Sequence, residues 1–292
     1  MGSIGYKLQT HPIHEPTQND PICSVCIPTF NGEQTILETV RSVLDQSYSN
    51  IEVVISDDNS SDQTLNRLKS VVDHRLRIVR GPATGIAAEN WNYSVSLARG
   101  KYIKVMGQDD LLQKDAIEVE VAALEKNQKY GVVASFCRRQ IITSTGRKLP
   151  TTLLGSRRLP ASIRLHSFLP GLVRSGRNLL GEPVCVTFRK DAFQKTPGFR
   201  GSYLIDLAMW LDLLQIGHGV TINRQLCAFR ISRASWTFRL RGSQAEETNR
   251  FFHGVAQIYP GHVTKFDLIV GRMNSQLAQQ IRRIVMLVAN QR

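Results

Sequence analysis

The chain has 292 residues, of which 42% are hydrophobic and 21% charged, so it can bury a substantial core and is too mixed in composition for disorder to be the default. Its net charge of +13 is unevenly spread: residues 1–134 sum to −4, residues 135–200 to +11 and residues 201–292 to +6. Charges interrupt every apolar run well short of the roughly 18 residues of a membrane span, and residues 1–20 are polar with no signal core, which suggests a loose leader on a cytoplasmic protein.

The first β-rich run is 22–29, ending at Pro28 and the turn-like Asn31-Gly32. Cys23 and Cys26 lie within it, where positions i and i+3 face opposite ways, so a metal or redox pair is not expected. The five cysteines are odd in number and scattered, which argues against a disulfide framework. A helix over about 33–46 follows, with Ile36, Leu37, Val40, Val43 and Leu44 forming one stripe. A second strand, 51–56, runs into Asp57-Asp58-Asn59-Ser60-Ser61-Asp62. Ser61 and Asp62 then open a helix whose period continues through Leu65, Leu68 and Val72.

The alternation repeats with a strand at 77–80, a helix bearing Ala87, Trp91, Ser94, Val95 and Ala98, and a strand at 102–106 that ends in Gly107-Gln108-Asp109-Asp110. A helix over 115–126 completes a rhythm that implies a mainly parallel sheet with helices on both faces and ligands beyond the carboxyl ends of the strands. After Ser135 the pattern degrades. Residues 143–183 are rich in Gly, Pro, Ser and Arg, with one helix near 162–173. Order returns with a strand at 184–189, a helix from Asp206 to Ile216, two strands across 220–231 and one or two helices over 263–290. In that tail Leu277, Ile281, Ile284, Val285 and Val288 form an apolar stripe beside Arg282 and Arg283.

Asp57-Asp58 and Asp109-Asp110 follow strands two units apart, so they can meet at one rim. Paired carboxylates repel unless a cation sits between them, and hard oxygen ligands suit Mg²⁺ or Mn²⁺ on a diphosphate. A turn or helix cap is the plainer role for any one of these pairs, and a helix N-cap is the plainer role for Asp206. No phosphate-binding glycine loop, nucleophile elbow or zinc-protease motif is present, and the seven histidines are dispersed in sequence.

The segments Cys26-Ile-Pro-Thr-Phe-Asn-Gly32, Ser42-Val-Leu-Asp-Gln-Ser-Tyr48, Glu52-Val-Val-Ile-Ser-Asp-Asp-Asn-Ser-Ser-Asp62 and Ala98-Arg-Gly-Lys-Tyr-Ile-Lys-Val-Met-Gly-Gln-Asp-Asp-Leu-Leu112 resemble, in this order, the family 2 glycosyltransferases. Thinner similarity persists at Gly181-Glu-Pro, at Pro197-Gly-Phe199 and at Asp206-Leu-Ala-Met-Trp-Leu211. The resemblance implies an α/β GT-A fold, Rossmann-like, with a mixed but mainly parallel sheet, a less regular acceptor-side half and a helical C-terminal tail. It implies a nucleotide-sugar-binding subdomain over 21–134, an acceptor and catalytic-base subdomain over 135–240, and a helical extension over 241–292.

By position, Pro28, Thr29, Phe30, Glu33, Asp57, Asp58, Asp109 and Arg230 would bind the nucleotide. Asp110 with Asp109 would hold the divalent cation, and Asp206 would be the general base of an inverting transfer. The implied partners are a nucleotide diphosphate-sugar donor, UDP-linked in the commonest case, and a glycan or lipid-linked acceptor. No specific nucleic acid is implied. The basic segment 138–200 is read as a solvated face, or as a mouth for such an acceptor at an anionic membrane surface. Four positions depart from the family pattern: Gly107 replaces an acidic residue, Ile205 a Glu, Ser232 a His and Glu89 a basic residue. A non-catalytic module of the same fold and a basic nucleic-acid-binding protein are the rival readings. Metal-dependent nucleotide binding and transfer would separate the first reading from both.

Overall fold

The computed structural model describes residues 21–150, 158–231 and 243–289. Residues 1–20, read as a loose leader, and Ser232 lie outside them. Nine strands form one sheet among these residues, in the order β3-β2-β1-β4-β8-β6-β9-β5, with β7 pairing on β9. The strands are β1 (Cys23–Thr29), β2 (Ile51–Asp57), β3 (Leu76–Arg80), β4 (Tyr102–Val105), β5 (Leu111–Leu112), β6 (Val132–Ile142), β7 (Ser162–Ile163), β8 (Val186–Arg189) and β9 (His218–Arg230). The helices are α1 (Ile36–Leu44), α2 (Thr64–Leu68), α3 (Ala87–Ser96), α4 (Ala116–Asn127), α5 (Leu165–Ser175), α6 (Lys190–Phe193), α7 (Ile205–Ile216), α8 (Gln244–Ile258) and α9 (Lys265–Ala289).

Strands β1, β2, β3 and β4 run parallel, and every residue of β1 and β2 is buried, as strands covered by helices on both faces require. Parallel direction brings the carboxyl ends of β1, β2 and β4 to one edge, which collects residues 28–33, 57–62 and 107–110. The sheet then changes character. β8 enters antiparallel between β4 and β6, and β9 runs parallel to β6 and antiparallel to β5. The two expected subdomains therefore share one continuous sheet.

Several local expectations shift. The helix after Asp62 is short, and Val72 is 98% exposed, because the chain has turned away before reaching it. β6 is an eleven-residue strand inside the stretch where periodicity fails. Its outer part carries Arg138, Arg139 and Gln140, partly buried polar residues that break alternation. The two strands expected across 220–231 are one thirteen-residue strand, with register shifts against Cys137, Arg138 and Arg139 that mimic a break in pattern. Helix α8, which sequence periodicity did not single out, packs beside α9.

All five cysteines are free and buried. Burial pushes the Cys23 thiol up to about 12 and raises Cys26 as well, so both are inert. The histidines are less scattered in space than in sequence: the rings of His166 and His262 stack at 4.2 Å.

Candidate active site

Loops at the sheet's carboxyl edge are tied to one another before any ligand arrives. Asp58 donates its backbone N–H to Thr29 O at 2.8 Å, joining the ends of β1 and β2. Gln108 accepts from Phe30 N–H at 2.8 Å and donates to Phe30 O at 2.9 Å, while its own carbonyl accepts from Thr35 and Thr39. Pro28 and Thr29 are buried under this bridge, whereas the Phe30 ring is 47% exposed.

The two aspartates after β2 divide their work. Both Asp57 oxygens accept from Ser60, through its N–H at 3.0 Å and its hydroxyl at 2.6 Å, so Asp57 closes the turn. Asp58 accepts from Gly85 N–H through Oδ2 at 3.0 Å, and its Oδ1 is buried with no partner. A buried carboxylate oxygen without a donor is costly, and it marks where a ligand N–H or O–H would be welcome. Glu33 accepts from Gln63 N–H at 2.9 Å and fastens the first loop to α2.

Asp109 and Asp110 sit at the tip of the β4–β5 connection. Burial raises the Asp109 carboxyl, and burial reinforced by the Asp109 charge raises Asp110 well above the usual carboxylate range. Asp110 Oδ1 accepts from Arg230 N–H at 3.1 Å, which pins the pair to the end of β9. Two adjacent, poorly solvated carboxylates fit a hard divalent cation that takes its remaining ligands from a diphosphate. Among the described residues no three His, Cys, Asp or Glu side chains are arranged to hold an ion by themselves. Gly107 also has a geometric reason. A Cβ there would lie 2.9 Å from Asp109 Oδ1 and 3.1 Å from Asp110 Oδ2, so an acidic side chain would crowd the pair.

Arg230 is buried, and its guanidinium is committed to protein groups. It donates to Asp109 O at 2.8 Å, to Ser144 O at 3.0 Å and to Glu38 Oε2 at 2.6 Å. Its visible work is to clamp the aspartate loop to α1 and to the turn after β6.

Asp206 stands half-buried in the first turn of α7, a helix that is apolar nearly all round and buries Ile205, Leu207, Met209, Trp210, Leu211, Leu213 and Leu214. The residue before it, Ile205, faces the core, which explains why no acidic neighbour occupies that place. Leu204 enters the helix in the left-handed region at φ 50°, a strained setting for a branched side chain. Asp206 Oδ1 accepts from Leu207 N–H at 2.8 Å and Oδ2 from Asn178 at 2.9 Å. Burial outweighs both bonds and pushes the carboxyl up to about 6.

Beside it, Glu182 is pushed up to about 7 by burial, offset by Arg139 at 2.7 Å. The Glu182 charge also raises Asp110, and the Asp206 charge raises Glu182, so Glu182 stands near enough to each of these carboxylates to interact with it. Trp210 is fully buried, where it donates to Gly181 O at 3.1 Å and packs on Phe188 and Phe199.

Gln108, Asn178, Glu182 and Glu38 were not among the expected site residues. Gln108 and Glu182 sit inside recognisable motifs and carried a signal there. Asn178 and Glu38 carried none.

Residues 24–196 match the model of the family described as "Glycosyl transferase family 2". The chain is 28% identical over 231 residues to the putative glycosyltransferase EpsE of Bacillus subtilis, covering 76% of each. It is 30% identical over 109 residues to an Escherichia coli protein named UDP-Glc:alpha-D-GlcNAc-diphosphoundecaprenol beta-1,3-glucosyltransferase WfgD, covering 37% of this chain and 43% of that one. Its fold is similar to that of Staphylococcus aureus TarS 1-349 in complex with UDP-GlcNAc, with a TM-score of 0.62 at 17% identity, over 79% of this chain and 65% of that one.

Proposed function

The chain belongs to glycosyl transferase family 2, and from that premise we propose that it moves a sugar from a UDP-linked donor to a hydroxyl of a glycan or lipid-linked acceptor, inverting the anomeric carbon. The observation that carries the donor side is the buried, partnerless Oδ1 of Asp58, whose backbone is tied to Thr29, the residue before the exposed Phe30. A uracil offers an imide N–H to such an oxygen and a flat face to such a ring. The name of the E. coli relative, with its UDP-linked donor and lipid diphosphate acceptor, supports the same reading.

In this reading Asp109 and Asp110 hold Mn²⁺ or Mg²⁺, which supplies positive charge to the departing diphosphate. Arg230 and Gly107 keep the pair in place. Asp206 takes the proton from the acceptor hydroxyl as the oxygen attacks the anomeric carbon and the bond to the diphosphate breaks. A carboxyl held at about 6 is mostly ionised at neutral pH yet basic enough to assist, and such a base typically contributes ~10²–10⁴ in rate. Asn178 and Leu207 hold its oxygens, and Glu182 with Arg139 shapes the acceptor side.

A thermal-shift panel of nucleotide diphosphates and their sugars, with and without Mn²⁺, tests the proposal. Stabilisation by UDP and a UDP-sugar that grows with metal is expected. Equal stabilisation by all nucleotides, or none by any, would remove the donor assignment.

A further inference from the structure

Helix α9 is anchored on one side only. Its Gly271 lies so close to α5 that a Cβ would come within 2.3 Å of Val173 O, and Ser275 reaches Asn249 of α8 at 3.0 Å. Asp267, also on the inner side, pairs with Arg174 of α5 at 3.2 Å. The opposite side carries Phe266, Ile269, Met273, Leu277 and Ile284, all 59–66% exposed. At 100° per residue these five fall within about 80° of one another, an apolar stripe along some five turns that the exposed Gln280 interrupts once. One edge of that stripe is lined by Lys265, Arg272 and Arg283, all exposed, and no carboxylate of α9 is exposed.

We infer that this face of α9 is a docking surface for an anionic phospholipid bilayer, on which the helix lies in the plane of the interface. Exposed apolar side chains of this size on a helix otherwise packed into the protein call for a cover. A second copy of α9 fits poorly, because its exposed face would bring cations and no neutralising carboxylate. An anionic leaflet offers both things the face lacks, an apolar layer for the stripe and negative charge for the edge. No described helix is long and apolar enough to cross a membrane, so the contact is interfacial.

The inner side of the same helix gives the arrangement a use. Arg282 lies half-buried on that side, near enough to Glu182 for the carboxylate charge to act on it, so α9 reaches toward the residues read as the acceptor side of the site. The inference deepens the lipid-linked reading of the acceptor and rests on it for its purpose. Its test needs neither donor nor acceptor.

The experiment is flotation of the full chain with vesicles of phosphatidylcholine alone and of an equal mixture with phosphatidylglycerol. The chain should float with the mixed vesicles and much less with the neutral ones. Met273→Gln with Leu277→Gln should weaken binding to the mixed vesicles at least about tenfold, since two exposed side chains lose their apolar cover. Arg272→Glu with Arg283→Glu should weaken it by more than about tenfold and abolish the preference for anionic lipid, each cation being worth about fivefold near such a leaflet.

An unchanged thermal midpoint shows that each variant is folded, and stabilisation by nucleotide and metal reports on the donor site separately. Equal flotation of the parent and both variants would overturn the inference. So would a dimer in light scattering that Met273→Gln with Leu277→Gln converts to monomer, which would give the stripe to a second copy.

Discussion

Asn178 donates to Asp206 Oδ2 at 2.9 Å while its own side-chain oxygen accepts from the N–H groups of Leu180 and Gly181 at 3.0 and 3.1 Å. One amide therefore fixes both the loop that carries Glu182 and the carboxylate read as the base. The bond favours the ionised form of Asp206, in opposition to burial. Asn178→Ala should raise the Asp206 carboxyl further and lower transfer roughly tenfold, the scale of one hydrogen bond to a charged group. In a pH–rate profile its acid limb should lie above that of the parent. An unchanged limb would make Asn178 a loop residue only.

The parent profile has its own expected form. Asp206 must be ionised to accept a proton, so transfer should fall as pH drops through about 6 and be level above it until another group intervenes. Asp206→Asn should abolish transfer by ~10²–10⁴ and erase that limb while leaving UDP affinity unchanged. Full activity in this variant, measured by UDP release with acceptor present, would move the base elsewhere, with Glu182 next in line.

Asp110→Asn separates binding from fold. The amide can keep the bond from Arg230 N–H and ends the repulsion with Asp109, so the metal-free protein should melt about 2–4 °C higher, as a gain of about 1 kcal/mol would give. The extra stabilisation that Mn²⁺ lends to UDP should disappear in the same variant. Differential scanning fluorimetry reads both, and a metal effect that survives would place the ion away from this pair.

Gln108 bridges two loops whose sequences are 78 residues apart. Gln108→Ala removes two hydrogen bonds to Phe30, together about 1–3 kcal/mol, and lets the first loop drift from the aspartates. The Michaelis constant for donor should rise several-fold with turnover nearly kept, since Gln108 is not asked to touch the reacting atoms. A loss of turnover at constant Michaelis constant would contradict that role.

The parts of this protein that could be read from sequence are those where one period or one motif governs. Strands β1, β2 and β4 are mainly apolar runs that end in turn residues, and their parallel pairing follows from the intervening helices. The paired aspartates were visible because they fall where such strands stop. The acceptor side was harder to read for a physical reason. β6 carries Arg138, Arg139 and Gln140 at half-buried positions, β9 carries Asn223, Arg224 and Gln225 exposed in mid-strand, and their pairing holds register shifts, so neither alternation nor length survives in the sequence. Asp57 and Asp58 looked equivalent, and only the spatial position of Ser60 and Gly85 tells the turn residue from the one with an open oxygen. Arg230 was placed by resemblance, yet its commitment to Glu38 spans 192 positions and no local pattern reports it.

Lys104 shows the same limit inside a strand that was read correctly. It is wholly buried, and donates to Glu120 of α4 at 2.7 and 2.9 Å and to Thr187 of β8 at 3.4 Å. Glu120 also accepts from the Thr187 hydroxyl at 2.6 Å, so the pair joins the strand, the helix and the inserted antiparallel strand beneath the active-site edge. The Glu120 charge holds the Lys104 ammonium above its ordinary value against the effect of burial. Removing one partner strands the other charge, so Glu120→Ala should cost about 3–5 kcal/mol, a large share of the roughly 5–15 kcal/mol that holds a domain folded. Lys104→Met with Glu120→Leu removes both charges and fills the space, and should recover most of that loss. Urea unfolding of the single and double variants checks the pair. A double variant as unstable as the single would mean that the network, with Thr187, is needed for the fold itself and not merely tolerated by it.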